Sequence, residues 1–145
     1  MANLVMMDTD LGNELDLITG KISTQAWKTA KVHVYTNNHT PDRGDALGAY
    51  TEATFAGYAA VSLVGATWPS ASVSAHLATA VYGATVSFTR STTGSAQTCY
   101  GIYVTDSAGT TLLGAALFDS GPYTVTNAGD QINETLTLRL QSEFT

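Results

Sequence analysis

The spacing of apolar residues changes once along this chain, from a helical period to a strand period. Within residues 10–22, apolar side chains recur every three or four positions and therefore share one helical face. These residues are Leu11, Leu15, Ile18 and Ile22. From residue 31 the period becomes two, as in K-V-H-V-Y at 31–35. The pattern predicts a short N-terminal helix followed by strands.

Further strand patterns fill the rest of the chain, separated by clusters of Gly, Ser, Asn and Pro. They cover residues 59–64, 72–79, 84–90, 98–105, 111–118, 123–126 and 132–140. Turn sequences at 106–109 and 127–130 favour antiparallel pairing of consecutive strands. Many short strands without helices between them are typical of sandwiches, jelly rolls and barrels. We predict a mainly β fold, an antiparallel two-sheet, jelly-roll-like sandwich.

Length and composition are those of one folded domain. A chain of 145 residues that is 44% hydrophobic and 12% charged has enough apolar material for a core. We divide it into an N-terminal arm, residues 1–10, and a single β-sandwich domain, residues 11–145. The loop at 36–45 is rich in turn formers and is predicted to be the most exposed segment.

Charge and cysteine content narrow the classes of partner. The net charge is −6, and the six Lys and Arg residues lie singly between Lys21 and Arg139, so nucleic acid is not an expected partner. The single cysteine, Cys99, forms no internal disulfide, which fits assembly in a reducing cytoplasm. Acidic residues at positions 8 and 10 interrupt the apolar N-terminus, so no secretion signal is expected. The longest apolar stretches are shorter than the roughly 18 residues of a membrane-spanning helix, so membrane insertion is not expected.

No pattern of catalytic or metal-binding residues stands out. The three histidines, His33, His39 and His76, are not paired at ligand spacing, and no Ser or Cys lies in a nucleophile elbow. His33 is expected on the outer face of its strand, and His39 in the exposed loop. We therefore predict a protein that is not an enzyme and holds no metal or cofactor. A carboxylate pair such as Asp106 and Asp119 leaves a glycosidase open, because spacing alone does not test it.

Three sequence blocks resemble small structural proteins of tailed bacteriophages. Residues 34–41 read V-Y-T-N-N-H-T-P, and residues 50–59 read Y-T-E-A-T-F-A-G-Y-A. Together they match the form strand, T-N-N-x-T-P, then Y-T-E-A-T-F-x-G-Y. Residues 103–113, Y-V-T-D-S-A-G-T-T-L-L, are similar to a hairpin of those proteins. The resemblance implies a virion component with no assigned chemistry.

Within that group, a capsid cement or decoration protein is the first expectation. It implies location on the capsid surface after assembly in the bacterial cytoplasm, contact with the major capsid protein, and self-association, with a homotrimer preferred. Seven residues are predicted to contact the capsid or another subunit: Met1, Leu4, Val5, Met6, Met7, Trp27 and Trp68. The alternatives are a tail or fibre component that binds a host glycan through Trp27, Trp68 or loop tyrosines, and a small hydrolase.

Overall fold

The computed structural model describes residues 2–8, 19, 25–75 and 77–141. Within them the chain is mainly β, as the periodicity predicted. The helix predicted over residues 10–22 lies outside the described residues, apart from Thr19. None of the described helices is long and apolar enough to span a membrane.

Thirteen strands are present in the described part of the chain. They are β1 (Ala2–Asn3), β2 (Val5–Met6), β3 (Lys31–Tyr35), β4 (Val61–Ser62), β5 (Ser72–Ser74), β6 (Leu77–Val81), β7 (Val86–Thr89), β8 (Gln97–Cys99), β9 (Gly101–Thr105), β10 (Leu112–Leu117), β11 (Tyr123–Val125), β12 (Gln131–Glu134) and β13 (Leu136–Gln141). Short 3-10 helices lie at Ala26–Thr29, Leu47–Ala49 and Gly65–Thr67.

The strands form two larger sheets and two ribbons. One sheet has the order β1-β13-β6-β5, and the other has the order β2-β10-β9-β3-β4. The ribbons pair β11 with β8 and β12 with β7. The pairing is antiparallel throughout, except that β1 runs parallel to β13. The turn at 106–109 joins the paired strands β9 and β10, as predicted. The prediction for 127–130 is wrong, because the flanking strands β11 and β12 pair with β8 and β7 and not with each other.

Three predicted strands are each two strands in the structure. Residues 72–79 contain a hairpin that turns at Ala75, whose φ is 48°. Residues 98–105 change partner at Tyr100: β8 pairs with β11, whereas β9 pairs with β3 and β10. Residues 132–140 change partner at Thr135 in the same way, from β7 to β6. A period of two reports extended backbone but not which strand lies beside it.

The N-terminus, predicted as a separate arm, instead joins both larger sheets over residues 2–6. β1 adds to β13, and β2 adds to β10. Between and after these strands, the Leu4 amide donates to the Thr137 carbonyl at 3.3 Å, and the Met7 amide donates to the Leu113 carbonyl at 3.1 Å. Leu4 and Met7 are buried within this chain. Because this chain itself covers both side chains, their burial stabilises the domain.

Apolar side chains form two clusters, one on each face of the five-stranded sheet. The larger cluster contains Val32 and Leu113 from this sheet and Leu136 from the four-stranded sheet, together with Trp27. The smaller cluster lies on the other face and contains Met7, Tyr35, Tyr50, Tyr103, Leu112 and Ala115. The second face is covered because the loop after β3 folds back over it.

Candidate functional site

The strongest concentration of polar and aromatic side chains lies beneath the loop of residues 36–52. On β3, Val32 and Val34 enter the larger cluster, so His33 and Tyr35 point to the opposite face, where the loop covers them. We call the side chains gathered there the tyrosine–histidine cluster. Its members are His33, Tyr35, His39, Asp45, Tyr50, Glu52, Tyr58 and Tyr103.

Aromatic rings form a continuous stack at the centre of this cluster. His33 stacks on Tyr103 with ring centroids 4.6 Å apart and planes inclined by 9°, which follows from their pairing across β3 and β9. Tyr103 stacks on Tyr50 at 5.3 Å. Tyr35 and His39 then meet Tyr50 edge-on, at 5.1 and 5.2 Å. These geometries are favourable for aromatic pairs and bring the loop residue Tyr50 against the sheet.

Asp45 anchors the middle of the loop. Its Oδ2 accepts hydrogen bonds from His39 Nε2 at 2.7 Å, the Tyr50 hydroxyl at 2.7 Å and the Asp42 amide at 2.9 Å. Desolvation alone would raise the pKa of Asp45, but the hydrogen bonds from Asp42, His39 and Tyr50 outweigh it and lower the pKa. The carboxylate is therefore occupied by groups of its own loop.

Glu52 anchors the end of the loop in the same way. Its Oε1 lies 2.7 Å from His33 Nδ1 and accepts from the Tyr58 hydroxyl at 2.9 Å. Burial acts to raise the pKa of Glu52, but hydrogen bonds from His33, Tyr58 and Tyr103 lower it below its ordinary value. The Tyr58 oxygen also accepts from the Val34 amide at 3.0 Å, which ties Glu52 to the β3 backbone.

His33 lies between two hydrogen-bond partners, the Glu52 carboxylate and the Thr105 hydroxyl. Its Nδ1 donates to the Glu52 carboxylate, and its Nε2 lies 3.1 Å from the Thr105 hydroxyl. That hydroxyl also donates to the Asp106 carbonyl at 3.0 Å. Because the hydroxyl has a single proton, it satisfies both contacts only when Nε2 carries a proton.

An asparagine closes the base of the loop. The Asn37 side-chain amide donates to the Ala49 carbonyl at 2.8 Å, and its oxygen accepts from the Thr51 amide at 2.7 Å. The Thr36 amide donates to the Thr51 carbonyl at 2.8 Å beside it. These bonds hold residues 36–37 against residues 49–51, as strand pairing would. The loop is therefore a fixed cover. Five of the ten residues 36–45 are exposed on its outer side, whereas residues 69–75 are all exposed, so 36–45 is not the most exposed segment that its composition predicted.

The cluster's hydroxyl groups remain protonated at neutral pH. Burial, aided by the charge of Asp45, raises the pKa of Tyr35 to about 12. Burial is also the largest cause that raises the pKa of Tyr50 and of Tyr103, followed by their carboxylate neighbours Asp45 and Glu52. Protonated phenols donate hydrogen bonds. The arrangement therefore holds the loop backbone to the sheet through a network of hydrogen bonds that these hydroxyl groups donate.

The residues predicted to make contacts do not come together at one place. Met1 lies outside the described residues, and Val5 and Met6 are half-buried in β2. Trp27 is 4% exposed in the larger apolar cluster. Trp68 is half-buried and joins Trp27 in lining an open pocket of about 310 Å³, to which Gln25, Lys28 and Leu138 also contribute. The two tryptophans are thus neighbours, well separated in sequence.

Asp106, one of the two carboxylates considered for a glycosidase, stabilises a hairpin turn in the structure. Its Oδ1 accepts from the amides of Thr110 at 2.7 Å and Thr111 at 3.0 Å, which closes the hairpin between β9 and β10. Asp119 lies in the turn after β10. Among the described residues, no group of three or more His, Cys, Asp or Glu side chains is placed to hold a metal ion.

Sequence reasoning missed the tyrosine–histidine cluster. It treated His33 as an outward-facing strand residue and His39 as an exposed loop residue, and it gave no role to Asp45 or Glu52. The available signal was the two blocks 34–41 and 50–59, which contain most of the cluster. Tyr103 comes from a distant strand and is brought there only by the β3–β9 pairing.

No family model matches the chain, and no curated protein matches it.

The carboxylates of the cluster predict acid sensitivity. Asp45 and Glu52 have folded-state pKa values below their ordinary values of 3.8 and 4.5, so their contribution to stability is present above about pH 4.5 and is lost as the pH falls through the folded pKa. We expect the free energy of unfolding, measured with urea, to decline below about pH 4. Asp45→Asn should make that decline shallower.

A control of opposite sign is available in β12. Burial raises the pKa of Glu134, so protonation of this residue favours the folded state as the pH falls. Glu134→Gln should therefore remove a gain in the free energy of unfolding that the wild type shows as the pH falls toward 4.5, whereas Asp45→Asn makes the decline below about pH 4 shallower. Equal slopes in both variants would contradict the assignment of the effect to these carboxylates.

Proposed function

We propose that this protein is a non-enzymatic structural component of a tailed-bacteriophage virion, a decoration protein that binds the capsid surface and stabilises the shell. We also propose that its two larger sheets form a jelly-roll-like sandwich. The support is the resemblance of residues 34–41, 50–59 and 103–113 to phage structural proteins, combined with the way the structure uses those residues.

The observation that carries the proposal is that the polar residues of the first two blocks fasten a loop to a sheet. Asn37 binds the loop base, and Glu52 binds His33 and Tyr58. Each of these groups has partners inside the chain, which is the arrangement expected of a rigid platform. A protein that joins capsid subunits needs such rigidity, because a contact surface that is already ordered loses less entropy on binding.

The proposed partners are the major capsid protein and further copies of this chain, with a homotrimer as the preferred assembly. Capsid shells offer threefold positions, and closed symmetry is the usual form of homo-oligomers. The proposed location is the capsid surface, after assembly in the bacterial cytoplasm. The buried Leu4, Met7 and Trp27 are now poor contact candidates, and half-buried Val5, Met6 and Trp68 remain.

Capsid binding tests the proposal directly. Purified protein is added to capsids that lack it, and the bound copies are counted against the major capsid protein. We expect a copy number comparable with that of the shell protein and release of DNA at a higher temperature. Absence of binding, or binding of a few copies without a gain in heat resistance, would overturn the proposal.

One observation favours the alternative of a tail or fibre component that binds a host glycan. Trp27 and Trp68 line the same pocket, where Gln25 and Lys28 add hydrogen-bond donors. Sugar rings stack on accessible aromatic faces, and of these two residues the half-buried Trp68 offers one, whereas Trp27 is buried. Glycan-array binding that is lost in Trp68→Ala, together with a low copy number in purified particles, would establish this function in place of decoration.

A further inference from the structure

The four-stranded sheet ends in a strand whose outer edge is unprotected. β5 is the last strand in the order β1-β13-β6-β5, and within the described residues no strand pairs with its outer side. All three of its residues, Ser72 to Ser74, are exposed. An edge strand presents unpaired N–H and C=O groups, which favour pairing with another strand.

The same part of the sheet has an uncovered apolar row. Val73 pairs with Ala78 on β6, and Ala78 pairs with Leu140 on β13, so the three side chains lie side by side on one face. Val73 is 74% exposed and Leu140 is 48% exposed. Two positions further along β13, Leu138 packs against the larger apolar cluster. The row is therefore an outward continuation of the core-facing side of the sheet.

Charge indicates what covers this surface. Residues 53–89, which contain β5 and β6, include no Asp, Glu, Lys or Arg, although the chain as a whole carries a net charge of −6. Two copies of an acidic protein repel each other through their charged surfaces, so an uncharged surface is where they can approach most closely. Edge strands that stay single usually carry Lys, Pro or a bulge, and β5 has none of these.

We propose that the β5 edge and the row Val73, Ala78 and Leu140 form the contact between copies of this chain. In this contact the β5 edge pairs with a strand edge of a second copy, and the apolar row is covered by the neighbour. Backbone hydrogen bonds supply the pairing, and the apolar row supplies the buried area. The inference deepens the proposed function by locating its self-association, but it is testable without any capsid.

Sedimentation of the purified full chain tests this proposal. The wild type is examined from about 1 μM to about 1 mM, a range that covers weak association. We expect oligomers that dissociate on dilution. Val73→Lys introduces a charge into the row, and we expect it to weaken association at least about tenfold. Since Val73 is exposed, the variant should keep the wild-type circular dichroism spectrum and melting temperature.

The matched control is Leu117→Lys, which introduces the same charge at another exposed strand residue, 41% exposed on β10 in the other sheet. It should associate as the wild type does. A wild type that stays monomeric at the highest concentration would overturn the inference, as would equal association of wild type and Val73→Lys. Neither result bears on capsid binding, whereas a failure to bind capsids would leave the oligomer measurements unchanged.

Discussion

Gly101→Ala is expected to lower the free energy of unfolding by about 3 kcal/mol or more. A Cβ atom at position 101 would overlap the backbone carbonyl oxygen of Ala116 and would lie 2.6 Å from the Tyr35 hydroxyl oxygen. The carbonyl belongs to β10, so relief requires movement of a paired strand rather than rotation of a side chain. Urea unfolding monitored by tryptophan fluorescence measures the loss.

Gly101 matters because it makes room for Tyr35. The two residues are partners across β3 and β9, and the missing side chain lets the Tyr35 ring lie over the strand. Tyr35 is fully buried there, and its hydroxyl donates to the His39 carbonyl at 3.1 Å. The substitution should therefore also loosen the loop of residues 36–52, which faster hydrogen exchange of the Thr51 amide would report.

Gly48→Ala is the matched control for Gly101→Ala. No atom lies within 4 Å of a Cβ at this position, and the residue lies in the 3-10 helix Leu47–Ala49 of the same loop. Here the alanine restricts the unfolded chain without a clash, so we expect a gain of about 0.5 kcal/mol. If Gly48→Ala and Gly101→Ala lower the free energy of unfolding by the same amount, the steric explanation is wrong.

Met7→Ala is expected to lower the free energy of unfolding by about 3 kcal/mol, because it leaves a cavity where a fully buried side chain was. Met7 lies in the smaller apolar cluster with Tyr35, Tyr50 and Tyr103. The result distinguishes a core residue from a residue of a free arm, whose truncation would leave stability nearly unchanged. The same unfolding measurement decides between them.

Met6→Ala provides the comparison for Met7→Ala. It removes the same atoms from the neighbouring position, which is half-buried in β2. We expect a loss of roughly 1 kcal/mol or less, in proportion to the smaller apolar area withdrawn from water. If Met6→Ala and Met7→Ala cost the same, the burial of Met7 under the loop is not what stabilises the N-terminus.

The tyrosine–histidine cluster explains why a loop of turn-forming residues is ordered. Asp45 and Glu52 each accept hydrogen bonds from a histidine and a tyrosine. Hydrogen bonds to charged groups contribute more than neutral ones. Those of Asp45 are the better shielded, since its side chain is 13% exposed and that of Glu52 is 44% exposed. The loop presents a fixed surface as a result, which suits a protein whose proposed work is contact with neighbours.

The predictions that held depend on local chemistry. A period of two identified the extended segments, such as Lys31–Tyr35, because side chains of a strand alternate between its faces. The turn at 106–109 was recognisable because Asp106 binds the amides that follow it within the same hairpin. Such features involve residues a few positions apart, so the sequence shows them directly.

Only the tertiary structure decided which strands lie side by side and which polar groups meet. Nothing local distinguishes the partners of β8 from those of β9, although they are nearly continuous in sequence. His33 was mistaken for an outward residue because the loop that covers it is placed by Tyr103, seventy positions away on β9. The N-terminal residues were mistaken for an arm because the strands they join, β10 and β13, lie near the other end of the chain. Pairing between distant segments depends on the packing of the whole domain, which a local pattern does not contain.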